Sequence, residues 1–311
     1  MTSDQRCLIF GGSGFIGSHL TNALVKKGYR TFVVCRNSKK AYDNLSGLRN
    51  RIGILYGDFL DHNFLENIIK PNDIVFDLIS SSVPSTSSNS PIEEINQHIT
   101  PHVKFIDIAV KKKIKKIIFA SSGGGIYGEN KKKVQSETNE TQPFSPHAIA
   151  KLTIENYLRF FSREYGNKFI IYRISNPYGP KQISRQGFAI IPSFFKHVIE
   201  HTPPIIFGDG KQLRDFIYID DLIEAIMVSF PKNTKSHTYN LGSNSGTPIN
   251  RLWQEIKKLT NSDLNPLFKK NRTIDVPRVI LNTERFRKEF KWKPKITLEE
   301  GLKKTWEWLK K

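Results

Sequence analysis

The chain begins with the stretch that decides its fold, Cys7-Leu8-Ile9-Phe10-Gly11-Gly12-Ser13-Gly14-Phe15-Ile16-Gly17. An apolar run typical of a buried strand meets a glycine-rich turn, and a segment with helical spacing of apolar residues follows. Glycines at 11, 14 and 17 allow a tight turn, close approach of the backbone to a phosphate, and close packing of helix on strand. The stretch therefore predicts a phosphate-binding turn with a dinucleotide as its ligand.

Glycine-rich turns also occur without any ligand, so the surrounding pattern matters. Strand-like segments lie at 31–35, 52–56, 74–78, 117–120 and 169–173, with helical patterns at 92–111 and 147–165. Such alternation predicts an α/β fold with a doubly wound parallel sheet. Loops rich in Pro and Gly follow, so we expect a dinucleotide-binding domain over 1–173 and a smaller C-terminal substrate-binding lobe over 174–311, with an interleaved boundary.

Composition limits the classes of function. The formal charge is +19, and many of the lysines are expected to form solvated faces and loop tips, among them lysines 111–113, 115, 116 and 131–133. No nucleic-acid-binding motif is present, so we predict no nucleic-acid partner. The two cysteines, Cys7 and Cys35, lie in predicted core strands and suggest a reducing compartment. The sequence shows no membrane span, signal peptide or metal-ligand pattern, and we expect a cytoplasmic protein.

Six ordered motifs resemble those of the extended short-chain dehydrogenase/reductase family. Besides the glycine turn they are Gly57-Asp58, Ser121-Ser122 with Tyr127-Gly128, Lys151, the segment 173–180 with the segment 214–221, and the segment 275–278. Within that family the chain is most similar to nucleotide-sugar 4-epimerases and dehydratases. The resemblance implies a Rossmann sheet, NAD or NADP as cofactor, a nucleotide-diphosphate sugar as substrate, and a homodimer.

The resemblance also implies two sets of binding residues. The cofactor set is Gly11, Gly14, Phe15, Ile16, Gly17, Arg36, Asp58, Phe59, Ser80 and Lys151. The substrate set is Ser82, Asn176, Arg214, Arg272 and Asp275. Asp58 would contact the adenine, although an aspartate there could instead cap a helix at 61–69. Arginine suits a diphosphate because its planar guanidinium donates two parallel hydrogen bonds.

The catalytic positions depart from the family pattern. Relatives use a tyrosine as base with a lysine four residues later, and this chain has His147 before Lys151. The usual hydroxyl residue is replaced by Gly123, and the usual asparagine by His98. Imidazole can accept a proton near neutral pH, and the Lys151 cation would favour its neutral form. We predict His147 as base and Ser122 as the nearest remaining hydroxyl, while a histidine that only packs at a helix start remains an alternative.

The end of the second predicted strand bears on the choice between NAD and NADP. NAD-specific relatives place an aspartate there, whereas this chain has Cys35 followed by Arg36. Without that acid a 2′-phosphate is not repelled, and Arg36 could bind it or stack on adenine. The sequence slightly favours NADP and leaves NAD open.

Three functions agree with these features. The first is an epimerase or dehydratase that transiently removes a hydride from sugar C4. The second is a nucleotide 4-keto-sugar reductase that consumes NADPH. The third is a catalytically inactive nucleotide-sugar binder, which the loss of the tyrosine and the hydroxyl would suit.

Overall fold

The computed structural model describes residues 4–36, 43–80, 87–88, 90–129, 132–143, 145–184, 189–235, 237–272 and 276–311. The first half of the chain alternates strands and helices. The strands are β1 (Arg6–Phe10), β2 (Arg30–Cys35), β3 (Gly53–Tyr56), β4 (Ile74–Asp77), β5 (Lys116–Ser122) and β6 (Phe169–Ile174). The helices between them are α1 (Phe15–Lys26), α2 (His62–Ile68), α3 (Pro91–Glu94), α4 (Thr100–Lys111) and α5 (Pro146–Tyr165), with a 3₁₀-helix at Ser46–Arg51.

Shorter elements follow residue 174. The strands are β7 (Asn176–Tyr178), β8 (Ile205–Phe207), β9 (Leu213–Arg214), β10 (Phe216–Tyr218), β11 (Thr238–Leu241), β12 (Thr247–Pro248), β13 (Leu267–Lys269) and β14 (Arg278–Val279). The helices are α6 (Ile190–Ile199), α7 (Ile219–Ser229), α8 (Ile249–Thr260), α9 (Glu284–Phe290) and α10 (Leu298–Leu309). Apart from β11, these strands form small sheets of two or three strands.

The central sheet has seven parallel strands in the order β11-β6-β5-β4-β1-β2-β3. The predicted doubly wound parallel sheet is therefore confirmed. The strand order reverses between β1 and β4, and in open sheets of this kind ligands bind outside the carboxyl ends of the strands at that point. Strand β11 comes from beyond residue 173 and pairs with β6, so the sheet draws on both halves of the chain.

Both faces of the sheet are covered by apolar side chains. One cluster joins strand residues such as Ile9 and Val33 to α1 and to the C-terminal helices. The other joins Leu8 and Phe119 to α4 and α5. Near-continuous apolar strands of this kind are typical of parallel sheets buried on both faces.

The two cysteines and Lys116 are all buried. Both cysteines are buried and free, and burial raises the pKa of Cys7 to about 12. The expectation of a solvated Lys116 is wrong, because its Nζ donates to the carbonyl oxygens of Phe230 (2.9 Å) and Lys232 (2.6 Å) in a buried position. This lysine holds the chain after α7 against the start of β5.

The helical pattern at 92–111 forms three consecutive pieces rather than one helix. Between α3 and α4 the backbone makes a π-helical turn at Ile95–Ile99. Such turns are rare, and they occur frequently at functional sites. The turn leads from Glu94 to His98, both of which are buried.

Candidate active site

The glycine turn after β1 forms one wall of a cavity of about 520 Å³. Gly11 has a φ of 74°, a conformation that side chains disfavour. A Cβ at Gly17 would lie 2.2 Å from the carbonyl oxygen of Gly11, so only glycine allows α1 to pack this closely on the turn. Gly14 caps α1 without a side-chain hydrogen bond, and Phe15, Ile16 and Gly17 of the first turn line the cavity.

The lining of the cavity fits a dinucleotide. Backbone N–H groups at the start of a helix attract a pyrophosphate through hydrogen bonds and the helix dipole. The lining includes Arg36, Asp58 and Phe59, and it also includes Ile79 and Ser80. The cavity has the size usual for cofactor sites and lies at the switch point of the sheet. The structure thus places the predicted cofactor residues from these segments around a single cavity.

Asp58 does not cap the following helix. Asp61 is the cap of α2, since its side chain accepts a hydrogen bond from the Phe64 N–H at 3.1 Å. Asp58 accepts from the Leu60 N–H at 2.9 Å, is exposed, and lines the cavity. The alternative of Asp58 as a helix cap is therefore wrong.

Lys151 fixes a positive charge at the carboxyl edge of the sheet. Its Nζ donates to the carbonyl oxygens of Ile79 (3.0 Å) and Ala120 (2.9 Å). Ile79 follows β4, and Ala120 lies in β5. Burial lowers the pKa of this lysine, and the nearby carboxylates of Asp77 and Glu94 oppose that effect. Because Ile79 also lines the cavity, Lys151 lies against its sheet-edge wall.

His147 lies in the first turn of α5, four residues before Lys151. The helix is capped by Ser145, whose Oγ accepts from the Ala148 N–H, and the His147 N–H donates to the Ser87 Oγ at 3.2 Å. Burial, with the charges of Lys151 and His98, lowers the pKa of His147 to about 3. The imidazole is therefore neutral at pH 7, which is the form that can accept a proton.

Sequence reasoning missed three polar residues that surround these two. Glu94, His102 and Asp77 are all buried. His102 donates from Nδ1 to the carbonyl oxygen of His98 at 2.6 Å, and its Nε2 lies 3.3 Å from the Asp77 Oδ2. Their spacing of four residues, Glu94 to His98 to His102, is a pattern that could have revealed a shared helix face.

The electrostatics of this cluster favour a neutral His98 beside an ionised Asp77. Burial, with Lys151 and His102, lowers the pKa of His98 to about 4. Burial alone would raise the pKa of Asp77, but His102 and Lys151 outweigh it and hold the pKa below its ordinary value. Among the residues that the structure describes, no group of three His, Cys, Asp or Glu side chains is arranged to hold a metal ion.

The hydroxyl missing at position 123 cannot simply be added back. A Cβ at Gly123 would meet the Leu281 side chain at 2.4 Å and the carbonyl oxygens of Arg173 and Ile174 at 3.0 Å. Ser122 ends β5, and its Oγ lies 3.8 Å from the position of a Cβ at Gly125, which itself would meet Ala148. The Ser122 hydroxyl thus lies near the first turn of α5 that carries His147.

The predicted substrate residues lie on the elements that follow β6. Asn176 begins β7, and its side chain donates to the carbonyl oxygen of Asp215 at 2.9 Å. Arg214 donates from Nη1 to the carbonyl oxygen of Val276 at 2.7 Å, and Arg272 stacks on the Phe207 ring at 4.4 Å. These three do not line the dinucleotide cavity. Ser82 and Asp275 lie outside the described residues.

A glycine turn at the switch point, a dinucleotide-sized cavity and a buried lysine at its edge define a nucleotide-cofactor-dependent oxidoreductase of the doubly wound class. The profile of the family described as NAD dependent epimerase/dehydratase matches residues 7–242. The chain belongs to this family and is an enzyme of the epimerase/dehydratase type. No helix within the described ranges is long and apolar enough to cross a membrane.

Individual relatives cover nearly the whole chain. A protein of Methanocaldococcus jannaschii described as a putative UDP-glucose 4-epimerase is 31% identical over 309 residues, which is 97% of this chain and 98% of that protein. The crystal structure of a UDP-glucose 4-epimerase with UDP-glucose from Thermotoga maritima has a TM-score of 0.92 at 34% identity, covering 98% of this chain and 99% of that one. A UDP-N-acetylglucosamine 4-epimerase from Methanobrevibacter ruminantium, solved with UDP-N-acetylmuramic acid, has a TM-score of 0.91 at 29% identity, covering 98% of both chains.

Proposed function

We propose that this chain is a nucleotide-sugar 4-epimerase that oxidises the sugar hydroxyl at C4 and reduces the resulting ketone again. The observation that carries this proposal is the pair His147 and Lys151, one helical turn apart on α5, with Lys151 anchored against the wall of the dinucleotide cavity. A residue that is neutral at pH 7 can accept the proton that alcohol oxidation releases. The T. maritima UDP-glucose 4-epimerase and the M. jannaschii protein described as a putative one support the same reaction.

In the proposed mechanism the chain supplies the proton transfers. A bound nicotinamide would supply the acceptor for the C4 hydride and the source of its return. His147 accepts the proton of the C4 hydroxyl and gives it back after the sugar has turned over. Lys151 holds the nicotinamide ribose and favours the neutral form of His147. Ser122 shares the hydrogen bond to the reacting oxygen.

The substrate is proposed to be a UDP-sugar held by the C-terminal lobe. Asn176, Arg214 and Arg272 supply an amide and two permanent cations, which suit a diphosphate. UDP-glucose, present in the T. maritima structure, is a ligand of this class. The sequence assigns Ser82 and Asp275 to the same role. We propose residues 1–173 as the dinucleotide-binding domain and 174–311 as the substrate-binding lobe, with β11 returning to the central sheet.

The cofactor is proposed to be NAD or NADP, with a slight preference for NADP. Cys35 and Arg36 both line the cavity at the end of β2, and Arg36 is exposed. If Arg36 binds a 2′-phosphate, Arg36→Ala should weaken the binding of NADPH by about 1.5–3 kcal/mol and leave the binding of NADH unchanged. Titration calorimetry with both cofactors decides this. Equal weakening of both would show that Arg36 only stacks on the adenine.

We further propose a homodimer formed through helix α5. Ile149, Tyr157 and Phe160 follow one another at helical spacing along one side of α5 and are exposed, Ile149 by 46% and Phe160 by 44%. Ile92 and Ile95 at the start of the neighbouring helical segment are exposed as well. A contiguous apolar strip of this kind is typical of a protein interface.

Turnover of C4-deuterated substrates tests the proposed reaction. The protein is incubated with cofactor and UDP-glucose, UDP-galactose or UDP-N-acetylglucosamine, and the anomeric signals are followed by ¹H NMR. We expect one C4 epimer pair to equilibrate with deuterium retained at C4, because the hydride returns to the same carbon. Stoichiometric NADPH consumption with a 4-keto sugar would instead support a reductase. Tight binding without any product would support an inactive binder.

A further inference from the structure

Glu94 places a buried carboxylate between two histidine rings. It ends α3, and His98 lies in the π-helical turn that follows. Its Oε1 lies 3.8 Å from the His98 Nε2 and 3.8 Å from the His147 Nδ1. All three residues are buried. One carboxylate oxygen thus faces a ring nitrogen of each histidine.

The charges packed around His147 give this carboxylate a defined task. Lys151 lies one turn further along α5, and from the other side His102 of α4 pairs with Asp77 of β4. Burial, with the charges of Lys151 and His98, makes His147 a weak base, since its charged form is disfavoured there. An anion beside a weak base in a buried site helps that base to accept a proton, because it stabilises the cation that forms. Glu94 is the carboxylate placed to do so.

We propose that Glu94 is a positioning residue, whose carboxylate accepts a hydrogen bond from the His147 Nδ1–H and so leaves the lone pair of His147 on Nε2. This inference rests on the proposed role of His147 as base. During oxidation the C4 hydroxyl O–H bond breaks and its proton forms an N–H bond at Nε2. The electron pair of the C4–H bond leaves with the hydrogen as hydride to the nicotinamide. Glu94 stabilises the imidazolium, and the reverse transfers restore every group.

At 3.8 Å the His147 Nδ1 and the Glu94 Oε1 are close enough to attract each other but are beyond hydrogen-bond distance. A shortening of about 0.9 Å would bring Nδ1 and Oε1 to hydrogen-bond distance. Catalytic hydrogen bonds are often long without substrate and tighten when it binds. The positive charge that develops on the ring strengthens the attraction further. His98 faces the same oxygen and competes for it only through its own N–H.

The tautomer of His147 is the direct readout. Long-range ¹H–¹⁵N spectra of the ¹⁵N-histidine-labelled protein at pH 7 distinguish a protonated Nδ1 from a protonated Nε2, and loss of a signal in His147→Phe assigns the ring. We expect wild type to show Nδ1–H with an unprotonated Nε2. In Glu94→Leu we expect the Nε2–H form, which free histidine favours. A wild-type ring protonated on Nε2 would overturn the proposal, even if Glu94→Leu failed to fold.

Turnover gives a second readout with a matched control. Glu94→Gln keeps an acceptor oxygen but removes the charge, so kcat should fall about 100-fold with little change in KM. Glu93→Gln removes the same charge from the adjacent, exposed position and should leave kcat unchanged. Equal kcat in Glu94→Gln and wild type would overturn the proposal. Absence of turnover in wild type with the expected tautomer would refute the epimerase function and leave the positioning role standing.

Discussion

His98 and His147 are held neutral by their surroundings. Burial is the largest cause in both, and Lys151 adds to it, so their pKa values fall to about 4 and about 3. In the unfolded chain each would titrate near 6.5. Between these values the unfolded state binds more protons than the folded state, so the free energy of unfolding rises with pH in this range. The contribution of the two histidines to the free energy of unfolding is fully present above about pH 6.5 and declines as the pH falls.

Acid sensitivity of folding is therefore the first prediction. Replacing His98 by asparagine removes one of these groups, so the slope of unfolding free energy between pH 6.5 and 4.5 should fall by up to about 1.4 kcal/mol per pH unit. Urea denaturation at several pH values measures the slope. The control is His201→Asn, an exposed residue with a φ of 52° that asparagine tolerates. An unchanged slope in His98→Asn would contradict the account of a neutral buried ring.

At the scale of elements, the π-helical turn and the start of α5 bring the polar residues together. Ser145 caps α5, and Lys151 in the next turn of the helix donates to the carbonyl oxygens of Ile79 and Ala120 at the carboxyl edge of the sheet. The turn at Ile95–Ile99 places Glu94 and His98 against that same helical turn. The sequence pattern at 92–111 does not show this break, because the apolar residues on both sides of it still follow one another at helical spacing. Two segments far apart in sequence thus supply one cluster.

The loop before α2 gives a prediction that separates cofactor contact from helix capping. Asp61→Ala removes the cap and should lower the unfolding free energy by about 1 kcal/mol, with unchanged cofactor affinity. Asp58→Ala should leave the unfolding free energy unchanged. It should weaken the binding of NAD or NADP about tenfold, since Asp58 lines the cavity. Denaturation and calorimetry on both variants decide the matter. Full cofactor affinity in Asp58→Ala would remove Asp58 from the cofactor site.

At the scale of the whole molecule, the apolar strip on α5 predicts a dimer. Sedimentation of the wild-type protein should give twice the mass of the chain, and Phe160→Asp should give a monomer, because a charge in a buried apolar interface is costly. Tyr165→Asp changes an equally aromatic, exposed residue on another side of α5 and should leave the dimer intact. A monomeric wild type would contradict the proposed interface.

Much of this architecture follows from the sequence because local patterns report it directly. The turn at 11–17 and the apolar strands predict the sheet, and the structure confirms six of its strands to within two residues. The partnership of β11 with β6 depends on tertiary packing, which spacing alone does not show. The position of Glu94 is not predicted for the same reason, since its nearest ring on α5 lies 53 positions later in the chain. The sequence predicts Lys116 on the surface because it lies in a run of lysines. Its carbonyl partners follow α7, more than a hundred positions later, so spacing does not reveal them.

The central claim is that His147 takes the substrate proton, and the turnover of His147→Phe tests it most directly. We expect kcat to fall by about 10²- to 10⁴-fold, the usual contribution of a general base. The affinities for dinucleotide and nucleotide sugar should remain within a factor of two or so, because the proposed contacts lie on the glycine turn, Asn176, Arg214 and Arg272. His197→Phe on α6 serves as the control. Wild-type turnover in His147→Phe would contradict the account and place the base elsewhere.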